Sequence, residues 1–153
     1  STLRGGMIAQ LLRNDILIAG LTAWALAQIL KVPVDYLFTR RLSLGPMFSS
    51  GGMPSSHSAL MTATTTAIGL YAGFDTPAFA LAFALSMVVT YDAAGVRRQA
   101  GFHAEKINLM ITELLKGHPI SEERLKEVLG HTPRQVLVGS LFGIVVAVLL
   151  WLL

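Results

Sequence analysis

A chain of 153 residues in which 53% are hydrophobic and 14% charged cannot present the polar surface of an ordinary water-soluble domain. Its mean hydropathy of +0.60 points to a bilayer, and at about 20 residues per crossing the length allows one domain with four or five crossings at most. A net charge of +3 with short basic clusters suits anionic headgroups or phosphate rather than nucleic acid, and the absence of cysteine excludes disulfides and thiolate metal sites.

Ser1 to Gly6 hold no initiating Met and no apolar core with a cleavage site, so they read as an engineered or processed end. The first apolar stretch runs from Ile16 to Leu30 and extends through Phe38. Lys31 and Asp35 then fall near the membrane boundary, where Lys31 can snorkel, and Pro33 is expected to kink the helix. The second stretch, Ser58 to Phe74, carries Thr62, Thr64, Thr65 and Thr66. Such residues bond back to helical carbonyls and pack closely, so it reads as a buried membrane helix. Asp75-Thr76-Pro77 is a helix start, an N-cap followed by proline, and opens a third stretch reaching Ala94.

After Ala94, Ile107, Met110, Ile111, Leu114 and Leu115 follow helical spacing, with Glu105, Lys106, Glu113 and Lys116 on other faces. That pattern predicts an amphipathic helix at the membrane interface. Ser121 caps a short helix ending near Gly130. Thr132, Pro133 and Gln135 form a capping box for the last stretch, Val136 to Leu153. The expected fold is therefore all-α, a polytopic membrane helical bundle with about four crossings plus one interfacial helix, in a single domain spanning 1–153.

The polar residues gather at one end of these helices. By alternation of crossings, Arg40, Arg41, His57, Arg97, Arg98 and His103 share one side of the bilayer. Four guanidiniums beside two imidazoles make an anion site, because arginine offers bidentate hydrogen bonds to phosphate. Gly51 and Gly52 supply a turn whose backbone donors can approach an oxyanion.

Pro54-Ser55-Ser56-His57, then Arg97, five intervening residues and His103, resembles the type 2 phosphatidic acid phosphatase and vanadium haloperoxidase superfamily, whose three motifs read KxxxxxxRP, PSGH and SRxxxxxHxxxD. GGMPSSHSA, DAAGVRRQAG and LGHTP together resemble a short, divergent branch of it. The resemblance implies a helical bundle with a phosphate site near one bilayer face. It implies that His103 is the nucleophile forming a phosphohistidine and that His57 protonates the leaving oxygen. It further implies that Arg97, Ser55 and Ser56 cradle phosphate; the basic cluster itself adds Arg40, Arg41 and Arg98 as candidate phosphate ligands. Such an in-line displacement needs a nucleophile, an acid and fixed positive charge, all of which these residue types supply.

Three departures stand out. Lys31 and Arg40 are separated by eight residues rather than six, and Arg41 follows Arg40 in place of proline. Ser56 replaces the glycine of PSGH. Ile107 stands four residues after His103, where the superfamily has the aspartate that orients the nucleophile. Asp92 is the favoured substitute, because an ionised side chain in a membrane helix needs a partner, with Glu105 the other candidate. His131, just before the capping box, reads as part of a structural turn.

The leading functional expectation is a metal-independent phosphatase of a membrane lipid phosphate, using no cofactor. The alternatives are a non-catalytic binder of anionic lipids and a transporter component. Its partners are then the lipid substrate and the bilayer, with no nucleic acid. A four-crossing bundle is thin enough to leave a homo-oligomer open, joined through Thr-rich and Gly-containing faces. The excess of Lys and Arg on the motif side predicts a bacterial-type inner or plasma membrane protein whose motif-bearing face is cytoplasmic.

Overall fold

The computed structural model describes residues 2–49, 51–114 and 131–153, and among these the side chains of all but 2–5, 96–98 and 113. The regular structure of the described residues is helical: α1 (Thr2–Leu12), α2 (Asp15–Thr39), α3 (Ser56–Ala72), α4 (Pro77–Ala94), α5 (Val96–Leu114) and α6 (Pro133–Leu152), with a 3-10 turn at Gly45–Phe48. The chain is an all-α membrane helical bundle. By length and apolarity α2, the α4–α5 run and α6 can each cross a membrane. Helix α3, at 17 residues, rises about 25 Å and forms the centre of the bundle, packed by α2, α4 and α6.

The helix starts follow local chemistry. Asn14 caps α2, its side chain accepting from Leu17 N at 3.0 Å. Thr76 caps α4 by accepting from Phe79 N at 3.2 Å, with Pro77 at the first helical position where no donor is needed. At α6 the capping box closes in both directions, Thr132 Oγ1 accepting from Gln135 N (3.3 Å) and Gln135 Oε1 from Thr132 N (2.9 Å). These last two starts are where the sequence puts them.

What holds the bundle is small residues at four-residue spacing on three helices: Ala19, Ala23 and Ala27 on α2, Ala59, Ala63 and Ala67 on α3, and Gly139, Gly143 and Ala147 on α6. In lipid, apolar side chains gain nothing by leaving their surroundings, so close backbone approach supplies the attraction. A Cβ at Gly139 would run into the backbone of Ser55, and one at Gly143 into Ala59 and the Thr62 hydroxyl. Thr62 Oγ1 donates across the same seam to Ser140 O at 3.0 Å. The Gly139–Gly143 face of α6 is thus packed against α3 within the chain.

One expectation changes. Helix α5 begins at Val96 and prolongs α4. Gly95 N donates to Tyr91 O (2.9 Å) and Gln99 N to Gly95 O (3.0 Å), carrying the ladder through, so Pro77–Thr112 is one helical run of 36 residues. Glycine at 95 lacks the proline that would stop a helix. Thr2 to Gly6 form the start of α1. The short helix expected between Ser121 and Gly130 lies outside the described residues.

Candidate active site

The site is assembled where α2 ends, α3 begins and α6 begins. After Thr39 the chain leaves α2 through Arg40 in the left-handed region (φ 56°), passes the 3-10 turn and reaches Gly52 at φ +88°, a conformation suited to glycine. Gly52 lies against the stem of Lys31. A cis Met53–Pro54 bond follows. Ser55 then caps α3, its hydroxyl accepting from Ser58 Oγ at 3.0 Å and Ser58 N at 3.4 Å, while its own N–H donates to Gln135 O at 3.2 Å. That bond ties the Pro-Ser-Ser-His turn directly to the first turn of α6. Ser55 and Ser56 are both buried.

Lys31 does not snorkel outward. It is only 1% exposed, and its ammonium donates to Ser49 O at 2.8 Å and Ser56 Oγ at 3.4 Å. Among the described residues no carboxylate lies within salt-bridge distance of it. A buried cation held by neutral acceptors alone keeps most of its desolvation cost, which an incoming anion would offset. Among the described residues two of its three donors are engaged. Beside it, a cavity of about 220 Å³ opens between α2, the Gly52 turn and α6, lined by Lys31, Asp35, Gly52, Thr132, Arg134 and Gln135 among others.

His57, in the first turn of α3, faces His131, with ring centroids 6.5 Å apart. His131 is 2% exposed and places Nδ1 3.3 Å from Gln135 Oε1. The same oxygen accepts the Thr132 N–H, which fixes it as the oxygen of the amide. Since that oxygen can only accept, Nδ1 of His131 is the donor of this pair, and in the neutral ring Nε2 holds the lone pair. A glutamine thus orients a buried imidazole, as an aspartate does in a catalytic triad.

The other sequence candidates are distributed around this cluster. Arg40 and Arg41 are exposed beyond the end of α2. Arg40 lies nine residues after Lys31, about 13 Å along the axis. Arg97 and Arg98 sit in the first turn of α5, and their side chains lie outside the description. His103 is exposed on α5, and Asp92 is partly buried near the end of α4. No Cα of α5 comes within 8 Å of one in α3 or α6, so the described contacts do not bring His103 to His57. Asp92 and His103 are separated by eleven residues of the α4–α5 run, about 16 Å of helix rise. Glu105 and His103 border a separate recess on α5.

Lys31, His131 and Gln135 carry more of the site than sequence reasoning gave them. One signal was available. The His-x-x-x-Asp spacing sought after Arg97 recurs at His131 and Gln135, with glutamine standing for aspartate.

Comparison with known proteins agrees with the motif reading. A family profile described as the divergent PAP2 family matches residues 12–146. A Bacillus subtilis (strain 168) protein described as the uncharacterized membrane protein YuiD is 38% identical over 152 residues, covering 92% of this chain and 96% of that protein. No solved structure matches the chain.

Proposed function

We propose, from the premise that the chain belongs to the divergent PAP2 family, that it hydrolyses a phosphate monoester of a membrane lipid without a metal ion. The observation that carries this reading is the buried Lys31 ammonium, bonded to Ser56 of the Pro-Ser-Ser-His turn and lacking a carboxylate counter-charge among the described residues. A dianionic phosphate is the ligand such a cation suits.

In the proposed reaction His131 Nε2 attacks phosphorus while the P–O ester bond breaks, and protonated His57 gives its proton to the departing lipid oxygen. Neutral His57 then takes a proton from water, whose oxygen attacks the phosphohistidine and releases phosphate, restoring His131. Gln135 holds the Nδ1 proton of His131 throughout. Lys31, the Ser56 hydroxyl and the backbone of the turn bind the equatorial oxygens. Arg97 enters as a further phosphate ligand by motif position, and Arg98 as its basic neighbour. His103, the histidine five residues beyond Arg97, is the rival nucleophile, with Asp92 as its carboxylate.

The test is phosphate release from phosphatidate, phosphatidylglycerophosphate and polyprenyl phosphate in vesicles. Release that survives EDTA and is blocked by vanadate is the expected outcome. Tight binding of these lipids with no release would replace the enzyme with a non-catalytic lipid binder, and ion flux without either would favour a transporter component.

A further inference from the structure

Below the phosphate site, a second cavity of about 280 Å³ lies between α3, α4 and α6. Its wall contains Thr62, Thr65, Ser86 and Thr90, a composition that reads as polar, yet their hydroxyls are turned to the protein. Thr62 donates to Ser58 O at 2.7 Å, Thr90 to Ser86 O at 2.8 Å, and Thr65 to Met61 O at 2.7 Å while lying 2.8 Å from Ser86 Oγ. With the oxygens of Thr62, Thr65 and Thr90 bonded to helix carbonyls, the lining they share with Thr66 and Ser140 is largely apolar. Phe74, Phe79 and Phe83 form a continuous aromatic wall, successive centroids 5.1 and 6.2 Å apart. Phe74 reaches this position because Gly69 has no side chain to block its ring.

The register ties this cavity to the headgroup site. On α3 its lining begins at Thr62, five residues after His57; on α6 it begins at Ser140, five residues after Gln135. The α3 and α6 linings therefore begin about 7–8 Å deeper than His57 and Gln135. On α4 its lining runs from Phe79 to Thr90, about 16 Å of helix rise. Phe74 and Phe83 are half-exposed at its open side, toward the bilayer.

We infer that this cavity is the slot for one hydrocarbon chain of the lipid phosphate, entered sideways from the bilayer while the phosphate sits at Lys31 and His57. The inference rests on the phosphatase reading for the headgroup it assigns, and on the cavity alone for the chain. The fold leaves this space open while closing the α3–α6 seam with glycines, so the chain selects by length and branching along a single walled channel.

The test uses a phosphatidate with a photoreactive palmitoyl chain, the matching polyprenyl phosphate probe, and the same palmitoyl probe ending in an alcohol. Crosslinks of at least one phosphate probe are expected within Phe79–Thr90 and Ser140–Ile144, weaker for the alcohol; which probe crosslinks distinguishes acyl from prenyl chains. Ile144→Trp, which fills the slot, should cut crosslinking and turnover of that long-chain substrate about tenfold, equivalent to roughly two buried methylenes. Turnover of its short-chain analogue should be unchanged. Phe83→Ala, which widens the slot, should shift preference toward bulkier chains. Crosslinks spread over the lipid-facing helices regardless of phosphate would overturn the slot, as would equal losses on long and short chains in Ile144→Trp with no chain selectivity in Phe83→Ala. Crosslinks in the slot without phosphate release from any lipid would sink the phosphatase reading and leave the slot standing. Release with crosslinks elsewhere would do the reverse.

Discussion

Replacing Lys31 with methionine separates binding from folding. The side chain is 1% exposed, and its ammonium has acceptors at 2.8 and 3.4 Å but no carboxylate within salt-bridge distance among the described residues. Methionine has a similar length and no charge to desolvate. A buried charge with incomplete compensation costs several kcal/mol, and apolar replacements of buried ionic groups are often neutral or stabilising by about 1–4 kcal/mol. The ligand-free Lys31→Met protein should therefore unfold at the same or a higher temperature than wild type. Anion binding should move the other way. A hydrogen bond to a charged group contributes about 1.5–3 kcal/mol, so the dissociation constant for vanadate should rise about 10- to 100-fold. The assay is vanadate titration in detergent, followed by the thermal shift it induces, with the ligand-free melting temperature as the reference. Unchanged vanadate affinity together with a lowered melting temperature would show that Lys31 is structural and refute the phosphate site built around it.

His131→Ala should abolish turnover and remove an acid-labile phosphoryl adduct that His103→Ala retains; the opposite pattern would return the nucleophile to α5. His57→Ala should slow a lipid monoester far more than an aryl phosphate, whose leaving group needs little protonation, and equal losses would mean that His57 binds rather than donates. Gly143→Ala drives a methyl into the backbone of α3 at Ala59, so it should cost about 1–3 kcal/mol of stability, read as a lower melting temperature; no change would mean that the α3–α6 seam can yield. For the cytoplasmic orientation, a cysteine at Ser43 should be protected from an impermeant thiol reagent in intact cells while one at Leu153 is labelled. The reverse pattern would invert the topology.

Helix starts and the Pro-Ser-Ser-His turn were legible because their chemistry is local: a cap, a proline and a hydroxyl within three or four residues of one another. The rest of the site was harder to read because single residues do two things. Gln135 closes the capping box and also accepts from His131, so a reading satisfied by the cap has no reason to look further. His131 sits at a turn, the usual place for a histidine of no consequence, and only the packing of α6 on α3 turns it toward His57. Eight residues separate Lys31 from Arg40 where the motif has six, and a lysine near a helix end normally reaches for water. What buries it is the Gly52 turn, a contact between residues 21 apart that no periodicity encodes. The Arg-x5-His match at Arg97 and His103 is equally local. It says nothing about whether α5 folds back, and the ladder through Gly95 carries that helix onward instead.

The alanine and glycine stripes on α2, α3 and α6 also have an entropic side. Alanine and glycine have no side-chain rotamers to lose on packing, whereas a leucine seam would surrender about 0.5–1 kcal/mol per residue. Nor can such a seam repack, since no χ angle is available to take up slack when one helix slides. The platform beneath the two imidazoles is therefore set by backbone against backbone, and an axial shift of α6 would have to drag the Ser55 turn with it through the bond to Gln135 O. Histidine spacing and helix register are one coordinate in this molecule.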